Sequence, residues 1–355
     1  MKVVKNLLFA AMALFTLFSC SLESSTPPPI IGGPDPVESI LDRGFFVTNE
    51  GQFPNSGSVS FISNDLDVSE QKIYLNVNGS GDLGSGLQSM FFDTNGHAFI
   101  ISNGGNFITA VNRSTFEHLG RAEMGLEVPR YGVVVGEKIY VTNQGDFTTP
   151  NDDYVAVLSL QDLSLEKKIT VGSYVEHIFR GPNDLIYIEG TAFDQGNSIA
   201  VLDPSSNEIV ETIETADALN SIALDNANIY ALTAHKLQKF NLQTGALEQE
   251  IDLEDGQEAR QLRYSDGNLY YTVGASVFKY NTSFADEVPS EPILSYVSGS
   301  EYGAVYGFEV HKNKIYIADA GDFTSKGFVE VFSAEGSSLG KFDVGVGPNG
   351  FYFNE

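Results

Sequence analysis

One short pattern returns seven times along this 355-residue chain, and it restricts the possible folds more than any other feature. The copies are Phe45-Phe46-Val47-Thr48-Asn49, Phe99-Ile100-Ile101-Ser102-Asn103 and Ile139-Tyr140-Val141-Thr142-Asn143, then Ile186-Tyr187-Ile188-Glu189, Ile229-Tyr230-Ala231-Leu232, Leu269-Tyr270-Tyr271-Thr272 and Ile315-Tyr316-Ile317-Ala318. Their second residues lie 40 to 54 positions apart, with a mean of 45. Repeats of that length, each holding several short β-branched and aromatic strands, are the mark of propeller blades. Hydrophobic residues make up 42% of the chain, enough to fill a core between such blades.

Each repeat follows one order. A short apolar strand such as Tyr131-Gly132-Val133-Val134-Val135 meets a tight turn, Gly136-Glu137-Lys138, and then the Ile-Tyr-Val strand. A loop leads to a third strand, such as Tyr154-Val155-Ala156-Val157-Leu158. The fourth is more polar, as in Glu166-Lys167-Lys168-Ile169-Thr170-Val171, which suits an outer edge in water. No part of the mature chain sustains helical periodicity.

The ends predict how the ring closes. The strand at 45–49 has no inner strand before it, and the chain finishes on Pro348-Asn349-Gly350-Phe351-Tyr352-Phe353, an inner strand with nothing after it. Pairing the two completes the first blade. Inner strands then number seven, near 90, 133, 178, 222, 262, 308 and 351. The expected fold is all-β, a seven-bladed β-propeller of four-stranded antiparallel blades, closed by the C-terminal strand joining the first blade.

The N-terminus reads as an address. Lys2 and Lys5 precede a twelve-residue apolar stretch, Leu7 to Phe18, the length of a signal-peptide core and too short to span a bilayer as a helix. It ends in Leu17-Phe18-Ser19-Cys20, which resembles the lipobox of bacterial lipoproteins and holds the only Cys of the chain. Phe18 is bulkier than the usual residue there. This predicts a signal peptide over 1–19, lipidation at Cys20, a Ser/Pro/Gly tether over 20–43 and the propeller over 44–355. Cleavage removes two lysines and takes the net charge from −27 to −29. By the same resemblance Ser21, in place of Asp, favours the outer membrane, with the lipid as the sole membrane contact.

Candidate binding residues follow from blade topology. The loop between strands two and three lies on the same face as the link to the next blade. Four such loops share Asn/Asp, any residue, Gly, a polar residue, Phe: Asn49-Glu50-Gly51-Gln52-Phe53, Asn103-Gly104-Gly105-Asn106-Phe107, Asn143-Gln144-Gly145-Asp146-Phe147 and Asp319-Ala320-Gly321-Asp322-Phe323. The Asx side chain can bond nearby backbone and Gly can take a positive φ, so one reading of the motif is turn chemistry with the Phe residues packed in the core. The other is an aromatic and amide crescent lining a funnel, made of Asn49, Gln52, Phe53, Asn106, Phe107, Asp146, Phe147, Asp322 and Phe323. The links on that face add Arg130, Tyr131, Tyr174 and Tyr302, and the Gly79–Gly86 segment offers close approach to backbone.

Several classes of function are excluded or weakened. A net charge of −27 does not suit a reader of nucleic-acid phosphates. There is no phosphate loop ending in Gly-Lys-Ser/Thr, no catalytic residues, metal or cofactor are assigned, and the chain is expected not to be an enzyme. The five His are scattered; His97, His118, His235 and His311 read as surface groups, whereas His177 begins an inner strand and can reach the axis. Asp152-Asp153 reads as a solvated loop.

The segment Asn49-Glu50-Gly51-Gln52-Phe53, followed by Gly57-Ser58-Val59-Ser60, resembles the opening blade of the YncE-like surface propeller lipoproteins associated with TonB-dependent transporters, which include the BtuG type that captures cobalamin. Members of that family read Asn-Glu-Gly-Asn-Phe and Gly-Ser-Leu-Ser, so Gln52 and Val59 depart from it. Leu87-Gln88-Ser89-Met90 is similar to the family's second inner strand. The resemblance covers the lipobox and the repeats, but only the first two blades carry specific motifs. It implies an outer-membrane surface lipoprotein that takes a bulky nutrient complex across one face and passes it to a TonB-dependent transporter. The high negative charge favours a corrinoid such as cobalamin over an anionic ferric siderophore. The alternatives are ferric-siderophore capture, a protein–protein interaction propeller and a lactonase-like metal-dependent hydrolase.

Overall fold

The structure, a computed structural model, describes residues 39–354 apart from Phe147, Asp194, residues 254–257, Asp286 and Glu301. The signal peptide, Cys20 and most of the tether therefore lie outside the described residues, as does Phe147.

Seven four-stranded antiparallel sheets account for the fold. Blade 1 takes Gly44–Asn49, Ser58–Ser63 and the short Ser69–Glu70 from the start of the chain, and its inner strand, Pro348–Asn354, from the end. Phe46 faces Tyr352 and Val47 faces Phe351 across that closure. The inner strands of blades 2 to 7 are Leu87–Phe92, Pro129–Val135, Ile178–Arg180, Leu219–Leu224, Ala259–Ser265 and Gly307–His311. The seven expected inner strands and the C-terminal closure are thus all present.

Packing explains the repeated pattern. Seven hydrophobic clusters fill the molecule, and each is shared by two neighbouring blades. Successive residues of a strand point to opposite faces of its sheet. In blade 3, Ile139 and Val141 therefore pack on blade 2, while Tyr140 packs on blade 4. In blade 4, Ile186 and Ile188 meet blade 3 and Tyr187 meets blade 5. A strand buried on both faces has no polar side, hence the unbroken apolar runs. The tyrosines bury their rings and still satisfy their hydroxyls: Tyr140 donates to Asn207 Oδ1 (2.9 Å) and Tyr187 to the Leu242 carbonyl (3.1 Å). The outer strands stay wet, as in Leu165–Thr170, where only Ile169 is buried.

The sequence reading places residues 39–43 at the end of the tether. Residues 39–43 pack against the ring, with Ile40–Asp42 forming a 3-10 turn capped by Ser39. Leu41 is buried, its carbonyl accepts from Asn354 Nδ2 (2.7 Å), and Asp42 Oδ1 accepts from Ser114 Oγ (2.5 Å). Asn354 ends the closing strand, so this segment pins the seam where the termini meet. It lies on the face of the tight turns, opposite the face of the inter-blade connections. Among the described residues no helix is long and apolar enough to cross a membrane.

Candidate functional site

The inner strands build the centre of the connection face. In five blades their pairing slips near the start of the strand: at Leu87/Ser89, Pro129/Gly132, Leu219/Ser221, Arg260/Arg263 and opposite Thr48/Asn49. A bulge frees a residue from the ladder and re-aims its side chain. The freed residues include Gln88, Arg130, Tyr131, Asn220, Gln261 and Asn349, nearly all polar.

These side chains and their neighbours join every blade to the next. Asn349 of blade 1 donates to the Leu87 and Gln88 carbonyls of blade 2 (2.8 and 3.2 Å). Gln88 Oε1 accepts from Arg130 Nη1 of blade 3 (2.7 Å), and Gln88 Nε2 donates to the Tyr131 hydroxyl (3.2 Å). Arg130 makes a two-pronged ion pair with Glu176, which leads into blade 4. The Ile222 amide of blade 5 donates to Glu189 Oε1 of blade 4 (2.7 Å), and the Gln261 amide of blade 6 to Asn220 Oδ1 of blade 5 (3.1 Å). Gln261 Nε2 donates to the Val305 and Tyr306 carbonyls (both 3.3 Å), and the Tyr306 hydroxyl returns the chain of bonds to Glu50 of blade 1 (2.7 Å). The result is a closed polar belt around the axis.

Burial tunes its charges. Desolvation pushes the Glu50 carboxyl above its ordinary range, against the bonds it accepts from Tyr306 and Asn349. Burial and the nearby Glu50 charge raise the Tyr306 hydroxyl. Burial works against the Arg130 charge, but Glu176 outweighs it and holds the guanidinium fully protonated.

Inside the belt lies an axial cavity of about 510 Å³, lined by inner-strand residues of all seven blades, among them Tyr131, His177, Arg263, Glu309 and Tyr352. His177 reaches the axis as expected: its ring lies against Tyr131 (3.8 Å between centroids, planes tilted by 30°) and its Nδ1 lies 2.6 Å from the fully buried Glu189. Arg263 pairs with Glu309 at 2.8 Å. Among the described residues, no three His, Cys, Asp or Glu side chains converge as a metal site.

The predicted crescent divides. Asn49 is fully buried and acts inside the protein: its Nδ2 donates to Ser58 and Ser60, and its Oδ1 accepts from the Gly345 amide (2.9 Å). Asn143 and Asp319, which open two other loops, are equally buried. In these three loops the first residue is thus committed inside the protein, whereas Asn103 is half-buried and its Nδ2 reaches Gln88 Oε1 (3.5 Å). Asn106 Oδ1 caps the Val128 amide, and Asp146 and Asp322 accept bonds from the next residues of their own loops. Phe107 is half-buried beneath the Arg121 guanidinium, 3.9 Å from its ring, and Phe323 meets Tyr306 edge-on at 4.8 Å. Tyr174 donates to Gln195 (3.1 Å). Gln52 is exposed, and Phe53 and Tyr302 are the prominent aromatics, 79% and 86% exposed. Arg130 and Tyr131 sit in the belt.

Two further readings change. A side chain on Gly84 would strike Ser102 Oγ and the Phe107 ring, so that glycine serves internal packing and not ligand approach. Asp153 is 1% exposed, bonded to the Val175 amide, and not a loop carboxylate in water.

Sequence reasoning missed Glu50, Gln144, Glu176, Tyr306 and Asn349. Glu50 and Gln144 occupy the unassigned second position of the loop motif, the one signal that pointed to them. It also missed an asymmetry. Among the described residues, the exposed large apolar side chains outside the outer strands are Phe53, Met124, Phe193, Val297, Tyr302 and Tyr306 in loops or links of the connection face, Leu75 and Val77 on the short helix Ile73–Asn78, whose Asn78 bonds Phe116 and His118 toward the opposite face, and Ile40 of the N-terminal segment.

Fold and site together define a seven-bladed β-propeller with a polar belt around its axis. Within that class, the chain belongs to the family described as Domain of unknown function (DUF5074), whose model matches residues 43–354. No curated protein matches the sequence. Among solved structures it is similar to a quinonprotein alcohol dehydrogenase-like protein from Bacteroides thetaiotaomicron VPI-5482 (TM-score 0.67, 14% identity, 89% of this chain and 79% of that one). It is also similar to BamB from Moraxella catarrhalis (TM-score 0.55, 12% identity, 88% and 86%) and to Kuenenia stuttgartiensis hydrazine synthase (TM-score 0.58, 17% identity, 72% and 86%). At these identities the likeness is one of fold.

Proposed function

We propose that this protein is a non-enzymatic, lipid-anchored capture propeller of the outer membrane, which holds a bulky nutrient complex on its connection face and passes it to a TonB-dependent transporter. The observation that carries the reading is the asymmetry of exposed apolar side chains, which gather on one face while the chain leaves the ring toward the anchor from the other. Isolated exposed apolar residues are ordinary, but a face that collects aromatic and aliphatic tips around a polar rim is the composition of a binding surface. The belt supports a broad ligand over a small one. Its polar groups are mostly committed to one another, so contact area comes from the surrounding loops, where Phe53 and Tyr302 stand out.

A corrinoid is the favoured cargo. At −29 for the mature chain, the protein repels an anionic ferric catecholate at long range, whereas cobalamin carries no such charge. Every described element between Ser39 and Asn354 finds its bonding partners within that span, so the soluble chain from Ser21 onward holds the whole ring. Calorimetric titration of that chain with cobalamin and with ferric siderophores tests the proposal. Saturable heat with cobalamin supports it; heat only with a siderophore changes the cargo; heat with neither removes it.

A further inference from the structure

A second cavity, of about 350 Å³, lies off the axis on the connection side of blade 1. Its walls come from distant parts of the chain: the loop Gly51–Val59, Tyr74 and Leu75 of the short helix Ile73–Asn78, Gly81 and Leu83 of the next link, and Lys326, Gly345 and Val346 of blade 7 and its exit. Buried Val59, Tyr74 and Leu83 supply apolar lining, and half-exposed Leu75 extends it outward. The rim is held in place. Gln71 Nε2 donates to the Asp343 carbonyl (2.9 Å), and Ser56 Oγ accepts from the Leu83 amide (3.1 Å).

Its charge is the reverse of the molecule's. The chain carries 47 acidic residues against 20 Lys and Arg, yet no Asp or Glu lines this cavity and two lysines do. Elsewhere lysines find carboxylates readily, as Lys236 does with Glu250 (2.6 Å) and Lys138 with Glu166 (3.6 Å). Neither the Lys72 nor the Lys326 ammonium group has a hydrogen-bond or ion-pair partner among the described residues. The two stand 254 positions apart in sequence and meet at one rim only because the ring closes. An apolar hollow with two unpaired ammonium groups at its edge matches a molecule with an apolar body and an anionic head.

We infer that this cavity is a separate binding site for an amphipathic anion: one or two apolar rings or a medium alkyl chain, ending in a carboxylate, sulfonate or phosphate. The assignment stands apart from the proposed corrinoid face, because its charge complement and its lining differ. Free acids and lipid headgroups share this chemistry.

The test uses a matched pair of fluorescent probes on the chain from Ser21 onward. 1-Anilinonaphthalene-8-sulfonate carries the anionic head, and N-phenyl-1-naphthylamine is its uncharged analogue. The expected result is saturable sulfonate binding that Lys72→Gln/Lys326→Gln weakens about tenfold or more, with the neutral probe changed less than twofold. Leu75→Ser, at an exposed wall, weakens both. Equal loss of both probes in the lysine variant, or sulfonate binding that the variant leaves unchanged, overturns the proposal. Competition by decanoate identifies a free acid, and lysine-dependent co-sedimentation with phosphatidylglycerol vesicles identifies a lipid headgroup; neither occurring also overturns it.

Discussion

Arg130 of blade 3 and Glu176, at the approach to blade 4, face each other through two bonds, Nε to Oε2 at 3.0 Å and Nη2 to Oε1 at 2.6 Å, with both side chains about four-fifths buried. The third guanidinium nitrogen reaches Gln88 of blade 2, so one residue ties three blades together at the axis. Gln144 also donates to Glu176 (2.9 Å). An Arg in this setting was read from the sequence as a ligand contact; its partners make it first a keystone of the ring.

Removing one member of the pair strands the other charge in a poorly hydrated place. Glu176→Ala is expected to destabilise the ring by about 2–3 kcal/mol, below the roughly 3–5 kcal/mol of a fully buried pair, since some solvent reaches both groups. Urea unfolding of the variant beside Lys72→Gln, an exposed control, checks this; equal midpoints would make the pair decorative.

Closure rests on the last strand. Truncation after Gly347 deletes Pro348–Asn354, leaving Gly44–Asn49 with an open edge and uncovering the cluster that includes Phe351. An unpaired central strand invites pairing with other chains. The truncated chain is expected to elute as aggregates in size-exclusion chromatography, and a monomer with a sharp thermal transition would contradict the closure.

Acid should strengthen one part of the fold. Burial pushes the Asp153 carboxyl up to about 6, beyond the lowering effect of the bonds it accepts from Val175 and Gly145. In the unfolded chain the group titrates near 4, so between about 4 and 6 the folded state holds more protons and its stability falls as pH rises. At about 1.4 kcal/mol per unit, the cost at pH 7 is roughly 2–3 kcal/mol. Asp153→Asn keeps an acceptor for the Val175 amide and removes the ionisation. Its stability relative to the parent should be greater at pH 7 than at pH 4, a difference that denaturant titrations at the two values measure.

The exposed aromatics separate binding from folding. Phe53→Ala and Tyr302→Ala each remove a ring that is mostly in water, and stability should move by no more than about 0.5 kcal/mol. If the connection face holds the cargo, the double variant loses at least tenfold in calorimetric affinity with an unchanged melting temperature. Unchanged affinity would move the contact elsewhere.

The anchor is testable without the ring. Cys20→Ser is expected to abolish incorporation of labelled fatty acid and to release the protein from the membrane fraction, whereas retention of the label would place the modification at another residue.

The sequence alone was sufficient for the strands and for their number. Central propeller strands are buried on both faces, so Ile139-Tyr140-Val141 and its six counterparts announce themselves as apolar runs at a regular spacing, and an unpaired first hairpin with a spare last strand leaves one economical closure. Those are local signals, written within five or six consecutive residues. What the face does with its side chains was decided by tertiary structure. Whether Phe53 stands in water while Phe107 lies under Arg121, that Asn49 is consumed by its own blade, that bulged Gln88, Arg130 and Asn349 link into a belt, and that Lys72 and Lys326 share a rim are all matters of convergence between distant segments. Such convergence depends on bulges, ring closure and the angle between sheets, and no spacing along the chain encodes it.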